Sequence, residues 1–380
     1  MIKRKIAYIS GTRADFGLLE KTLRLIRSNP AFQLQVYATG MQIMKLYGNS
    51  IREVREAFPD SKIIPSVFKS DSSQSQLLFI SDLITRLTHE FTIERPDVVM
   101  VLGDRIEMLG VAIVSTYLHI PIVHIHGGDV TGIVDEPVRH AITKLAHIHC
   151  TATKKSGECI LKMGEDAWRI HVVGAPGLDD IYDRDVLSKK ETYDFLHLSD
   201  GQKYILITLH PDDKEYEKNV QNMKIVIEAV RSFSLPMVIL YPNSDPGGRA
   251  IISLYKKMRK IVLLYPHIPR RQFLGVAKFS SVWIGNSSAQ NIESCSLHVP
   301  TVSIGQRELG REHGKNMIYV PYTTEKIKQA IRRSISDSSY IARVKQMKNP
   351  WGNGKTAERI VQIIQSATID NRLLNKRLSY

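Results

Sequence analysis

Short apolar runs alternate with polar, glycine-bearing breaks along this chain, and that alternation predicts most of its elements. Residues 6–9 form a brief apolar run that empties into Ser10-Gly11-Thr12-Arg13-Ala14-Asp15. Over residues 16–26 the apolar positions Leu18, Leu19, Leu23, Leu25 and Ile26 keep a helical period. Further strands are predicted at residues 33–38, 98–102, 120–125 and 172–173, the second of these ended by Gly103-Asp104-Arg105. Strands alternating with helical stretches predict βαβ units and a parallel sheet.

Residues 174–200 change character. Gly174, Pro176 and Gly177 break regular structure, and a charged polar run follows, which places the interdomain connection here. The pattern then restarts, with strands predicted at residues 204–208, 237–240, 261–264, 282–284 and 301–304. Each releases a polar or glycine-containing loop, carrying in turn His210, Asn243, His267, Gly285-Asn286-Ser287-Ser288 and Gly305-Gln306-Arg307. No strict repeat links the two halves. The simplest architecture is two α/β domains, residues 1–180 and 195–355, facing a cleft on which their loops converge. Trp351-Gly352-Asn353-Gly354 breaks the chain before a last helix at residues 356–366, and the C-terminal segment 356–380 is expected to pack back on the first domain.

A length of 380 residues suits two cores. The basic start, Met1 to Lys5, is followed by too few apolar residues for a signal peptide, and no long uncharged apolar run occurs, so a cytoplasmic protein with no membrane partner is expected. Cys150, Cys159 and Cys295 lack paired or metal-finger spacing and read as reduced thiols. The formal charge of +14 is spread along the chain with no basic-aromatic stripe. That pattern favours a field attracting an anionic small substrate over nucleic-acid binding.

The richest loop follows the strand at 120–125: His124-Ile125-His126-Gly127-Gly128-Asp129, then Asp135-Glu136-Pro137-Val138-Arg139-His140. A strand emptying into so many titratable groups delivers them to a sheet edge, where open α/β folds keep ligands. In the first half the strand ends carry acid/base groups: Asp104, Arg105, His126, Asp129, Asp135, Glu136, Arg139 and His140. The Gly11–Asp15 turn adds backbone N–H groups at a helix start and the fork of Arg13, both suited to an anion. In the second half, Ser287 and Ser288 offer hydroxyls to phosphate oxygens, although Asn-Ser-Ser is also a common helix cap. Glu293 can accept from vicinal ribose hydroxyls, and Arg307, backed by Arg311 and His313, can supply charge to a pyrophosphate. One half reads as built to hold a nucleotide diphosphate, the other to move protons. His124 and His126, two apart on a strand, share a face, and with Asp129, Asp135 or His140 they offer a metal-hydrolase alternative. His147 and His149 read as structural.

These motifs, together with residues 139–147, resemble the hydrolysing UDP-N-acetylglucosamine 2-epimerases over nearly the whole chain. The resemblance implies two Rossmann-like domains in a glycosyltransferase-B-like α/β fold, a homodimer or homotetramer, no NAD and no obligatory metal or other cofactor. It implies that UDP-GlcNAc and water give UDP and N-acetylmannosamine, through C2 deprotonation, loss of UDP to a glycal, and hydration, feeding nonulosonic (sialic) acid synthesis. Arg13, Arg105, His210, Asn243, Ser287, Ser288, Glu293 and Arg307 fall at UDP-contacting positions. Asp104, Asp135 and Arg139 fall at acid/base positions. The chain departs from the pattern at His126 and Asp129, where many members carry Glu. An imidazole titrates nearer neutrality than a carboxyl, so His126 is expected to take the acid/base role. The departure also opens a second substrate, the UDP-linked 2,4-diacetamido-6-deoxy sugar (UDP-N,N'-diacetylbacillosamine) of legionaminic-acid synthesis. A retaining glycosyltransferase and a non-enzymatic nucleotide-sugar sensor are the remaining alternatives.

Overall fold

A computed structural model describes residues 3–130, 135–212 and 217–377. The chain leaves a first compact unit after Asp179, forms a second from Asp180–Trp351, and re-enters the first at Gly352.

The first unit holds a parallel sheet of seven strands: β1 (Arg4–Ser10), β2 (Phe32–Ala38), β3 (Lys62–Ile63), β4 (Val98–Leu102), β5 (Ile122–Ile125), β6 (Ile148–Thr151) and β7 (Ile170–Val172). Their order is β3-β2-β1-β4-β5-β6-β7, so the winding reverses between β1 and β4, with Ile6 registered on Val98. The second unit repeats the plan with six parallel strands: β8 (Ile205–Thr208), β9 (Met237–Leu240), β10 (Leu263–Tyr265), β11 (Val282–Gly285), β12 (Thr301–Ile304) and β13 (Met317–Val320). Its order, β10-β9-β8-β11-β12-β13, reverses between β8 and β11. Both are doubly wound Rossmann-like sheets, and the reversal is where such sheets open a ligand-binding crevice beyond the strand C-termini.

Continuous burial explains the apolar strands. Every residue of β4, β5, β8, β9, β11 and β12 is buried, as a sheet covered on both faces requires. Three strands escaped the pattern reading. β3 has only two residues, and β13 is only partly buried at its two middle positions. β6 reads Ile-His-Cys-Thr, too polar for a core strand until its partners are known. The expected strand at residues 172–173 lies earlier, at Ile170–Val172, and that at 261–264 lies later, at Leu263–Tyr265.

The returning C-terminal segment is part of the first unit's core. Ile360, Ile364 and Leu373 join Ile6, Leu19, Leu23 and Ile26 in one buried cluster. The Asp179 carboxylate accepts the N–H groups of Thr356 (3.0 Å) and Ala357 (2.7 Å), satisfying the start of the helix Thr356–Ser366. Arg169 donates to the Leu373 carbonyl at 2.8 Å. Lys376 donates to the Ala146 carbonyl at 2.6 Å and pairs with buried Glu165 at 2.7 Å.

Candidate functional site

In the first unit the loops after β1 and β4 flank the reversal of the sheet. The helix Arg13–Ser28 starts on a capping box: Thr12 Oγ1 accepts from the Asp15 N–H, and Asp15 reaches back to the Thr12 N–H at 2.7 Å. The Asp15 carboxylate also takes the Gly11 N–H at 3.0 Å and the hydroxyls of Ser10 and Tyr8. Burial pushes Asp15 up to about 6, against the Ser10 hydroxyl, with Glu107 adding repulsion. The Gly11 and Thr12 N–H groups, expected to be offered to a ligand anion, are thus taken by the chain's own carboxylate. What the turn presents is Arg13, at the first helical position. Burial lowers Arg13 to about 10 against the pull of Glu53 and Tyr47, which leaves it cationic at neutral pH.

Beyond β5 the chain turns sharply. His126 has φ +64 and Gly128 φ +79, so the strand ends at Ile125 and alternation of faces stops with it. The expectation that His124 and His126 share a strand face is thereby corrected. The two imidazoles have different work. His124 is fully buried; its Nε2 donates to the Gly103 carbonyl at 2.8 Å, and its Nδ1 accepts from Thr143 Oγ1 at 3.2 Å. A carbonyl can only accept, which fixes the tautomer. Burial lowers its pKa to about 3, partly opposed by the Gly103 bond. With both nitrogens engaged, His124 holds the β4 loop and is not offered to a ligand, and the metal-hydrolase reading loses one of its two histidines.

His126 belongs to a network that gathers the predicted acid/base residues. Its Nδ1 meets Asp129 Oδ2 at 3.1 Å, and the Asp129 Oδ1 accepts from Ser156 Oγ at 2.7 Å. Arg139, only 2 % exposed, donates to the Asp129 carbonyl at 2.6 Å and to the Asp104 carboxylate. Asp104 therefore sits against the fixed guanidinium of Arg139 in a charge-assisted pair. Asp135 opens the helix Asp135–Leu145 one turn before Arg139, on the same helical face. Residues 131–134 of this motif lie outside the described residues. His147 and His149 are structural, as expected: the first accepts the Ile122 N–H, the second meets buried Glu165.

In the second unit the loops after β8, β9 and β11 meet. His210 Nδ1 accepts the Asn243 N–H at 3.1 Å, so the neutral ring carries its proton on Nε2. The His210 N–H and carbonyl are both held by the Asn286 side chain, at 2.7 and 3.0 Å. Asn243 Nδ2 donates to Asp245 at 2.6 Å, and Arg307 pairs with the same carboxylate at 3.2 Å while donating to the Pro211 carbonyl. Ser287 takes the cap position read as its alternative: its N–H donates to Gln290 Oε1 at 3.2 Å. Exposed Ser288 opens the short helix Ser288–Glu293. Glu293 is buried, with Oε1 on Arg270 at 2.7 Å and Oε2 without a hydrogen-bond partner among the described residues. Arg270 also pairs with Asp180 at 3.0 Å; burial works against its charge, but the two carboxylates outweigh it.

The sequence reading missed Glu107, Ser156, Asp245 and Arg270. Glu107 carried a signal, as the one charge in an otherwise uncharged helix. The other three are ordinary surface-type residues until a distant partner is placed beside them.

Comparison with known proteins identifies the family and the fold. The family model described as UDP-N-acetylglucosamine 2-epimerase matches residues 24–365. A Legionella pneumophila protein named UDP-N,N'-diacetylbacillosamine 2-epimerase (hydrolyzing) is 35 % identical, over 99 % of this chain and 100 % of its own. A Neisseria meningitidis UDP-N-acetylglucosamine 2-epimerase is 31 % identical over 98 % of each chain. The crystal structure of UDP-GlcNAc 2-epimerase from Neisseria meningitidis bound to UDP-GlcNAc superposes with a TM-score of 0.78 at 19 % identity, covering 96 % of this chain and 100 % of that one, a likeness of fold. Among the described residues no helix is long and apolar enough to cross a membrane. With a family model covering most of its length and relatives above 30 % identity over nearly all of it, the chain belongs to the UDP-N-acetylglucosamine 2-epimerase family.

Proposed function

We propose that the chain is a hydrolysing 2-epimerase of a UDP-linked 2-acetamido sugar, converting the UDP-sugar and water into UDP and the free 2-epimer. UDP-GlcNAc, giving N-acetylmannosamine for nonulosonic acid synthesis, is the first substrate. The observation that carries the reading is the single network joining Asp104, Arg139, Asp129 and His126 at the C-terminal edge of the first sheet.

The chemistry asks for such a network. The C2–H beside an acetamido carbon is a weak acid, so elimination needs a positioned base and a stabilised leaving group. Asp104, paired with Arg139, and His126, with Nδ1 held by Asp129, are two proton-transfer groups; Asp135 is the third. One takes the C2 proton as the C1–O bond breaks and its electron pair leaves with UDP. Water then adds to C1 of the glycal and loses a proton, while C2 is protonated on the opposite face. Arg13, Arg105, His210, Asn243, Ser287, Ser288 and Arg307 hold the UDP portion, with the diphosphate charge met by the arginines. Glu293, with one oxygen held by Arg270, accepts from ribose hydroxyls. The same reading includes a homodimer or homotetramer, which light scattering measures.

The 35 % identical Legionella relative favours a second substrate, the diacetamido UDP-sugar. Proton NMR of each UDP-sugar with the enzyme in D₂O separates the readings. Release of N-acetylmannosamine deuterated at C2 supports the first. Turnover of the diacetamido sugar alone supports the second. Transfer that requires an added acceptor, or unchanged UDP-sugars in both tubes, overturns the epimerase reading.

A further inference from the structure

The helix Ile106–Tyr117 follows the Gly103-Asp104-Arg105 loop and carries a single charge, Glu107. Glu107 is 0 % exposed, and among the described residues no hydrogen-bond donor reaches either of its carboxylate oxygens. Its ion-pair neighbour is Arg105, whose Nε lies 3.5 Å from Oε2 and whose side chain is itself mostly buried. Two glycines make the room. A Cβ on Gly11 would stand 2.6 Å from Glu107 Cγ and 2.8 Å from Cδ, and one on Gly40 would stand 3.1 Å from Oε1. The carboxylate therefore lies against the loops that follow β1 and β2, beside the loop that follows β4.

Stability does not account for it. An acidic residue in a first helical turn gains a little from the helix dipole. Burying a carboxylate without hydrogen-bond donors costs more than that gain, and an apolar residue of the same volume avoids the cost. The charge is retained against folding energetics, at the reversal of the sheet, and its ionic partner is an arginine at that edge. We infer that Glu107 is a positioning residue, whose charge fixes the guanidinium of Arg105 for an anionic group of the substrate, the diphosphate of a nucleoside diphosphate. The assignment of the diphosphate rests on the proposed function.

The test is UDP affinity by calorimetry in a double-mutant cycle of Glu107→Met and Arg105→Lys, with thermal melts alongside. Glu107→Met removes the buried charge at nearly constant volume. The expected result is a melting temperature at or above that of the parent together with UDP binding weakened about tenfold, the scale of one charged hydrogen bond. The double variant then binds UDP no more weakly than Arg105→Lys alone, because Glu107 acts through Arg105. Glu107→Gln, which keeps the shape and one acceptor, gives the same weakening and serves if the Met variant does not fold. Parent-like UDP affinity in the Glu107 variants, or losses that multiply in the double variant, overturns the inference. UDP binding needs no turnover, so a failed epimerase assay is distinguishable from a failed cycle.

Discussion

At the residue scale the central matter is His126. An imidazole whose Nδ1 is held by a carboxylate has its tautomer and orientation set, which orients Nε2 for the proton transfer proposed above. Asp129 does the holding, and Ser156 and Arg139 hold Asp129 in turn. His126→Gln keeps a polar group against Asp129 but cannot transfer a proton. The expected outcome is a fall in kcat of about 10²-fold or more with UDP binding little changed, since positioned proton transfer contributes about 10²–10⁴-fold. Steady-state kinetics with UDP release as readout checks it, and a variant turning over at the parent rate would remove His126 from the chemistry. Sequence alone marked both histidines but not their division of labour. His124 and His126 look equivalent in a string, yet one is locked to Gly103 and Thr143 while the other joins the acid/base network.

At the element scale the Gly127-Gly128 pair explains how the network is assembled. A Cβ on Gly127 would come within 2.8 Å of His124 Nδ1. One on Gly128, at φ +79, would come within 2.1 Å of the Ser156 carbonyl oxygen. The loop after β5 therefore passes directly over the buried histidine and onto the helix Lys154–Lys162, which delivers Ser156 to Asp129. Gly128→Ala combines a positive φ with a backbone clash, and is expected to cost more than about 2 kcal/mol. Chemical denaturation measures the loss, and activity falls with it as Asp129 loses Ser156. A variant as stable as the parent contradicts this packing. Two adjacent glycines were legible as a break, but the reason both are needed was not, because the atoms they avoid come from residues 124 and 156.

At the scale of the whole molecule, buried titrating groups set the acid limit of stability. Burial lowers His124 to about 3 and, with Lys376 and Arg169, His147 to about 4. Below pH 6.5 the unfolded chain takes up protons that these folded histidines refuse, so stability falls as pH drops from 6.5 toward 4. Asp15 works the other way. Its folded value of about 6 lies above its unfolded one, and protonation between pH 6 and 4 returns stability; burial raises Asp179 and Glu293 in the same sense, but it also lowers His149 and His171 along with His124 and His147. Glu165 is pushed up by burial and pulled further down, to about 2, by His149, Lys144 and Lys376, so its contribution is lost only between about pH 4.5 and 2. The expected result is a melting temperature that declines from pH 6.5 to 4.5, with a shallower decline in His124→Gln, where the amide can still donate to the Gly103 carbonyl. Calorimetric melts across that range decide it; an unchanged slope in the variant assigns the acid sensitivity elsewhere.

The local pattern by itself determined where most strands and the long helices fall, because side-chain periodicity and caps are short-range properties. It also determined which residue types stand at the strand ends, and so the class of chemistry. Only the tertiary structure decided the strand orders that bring β1 beside β4 and β8 beside β11. Parallel pairing joins segments far apart in sequence and leaves no local mark beyond apolar runs. It also decided which polar groups are spent on the protein itself. Asp15 takes the Gly11 and Thr12 N–H groups of its own turn, His124 braces a loop, and Glu107, among the described residues, lies without hydrogen bonds beside Arg105. Whether a charge serves a ligand or the fold depends on the partners that folding sets around it, and some of those partners, such as Gly103 for His124, are remote along the chain.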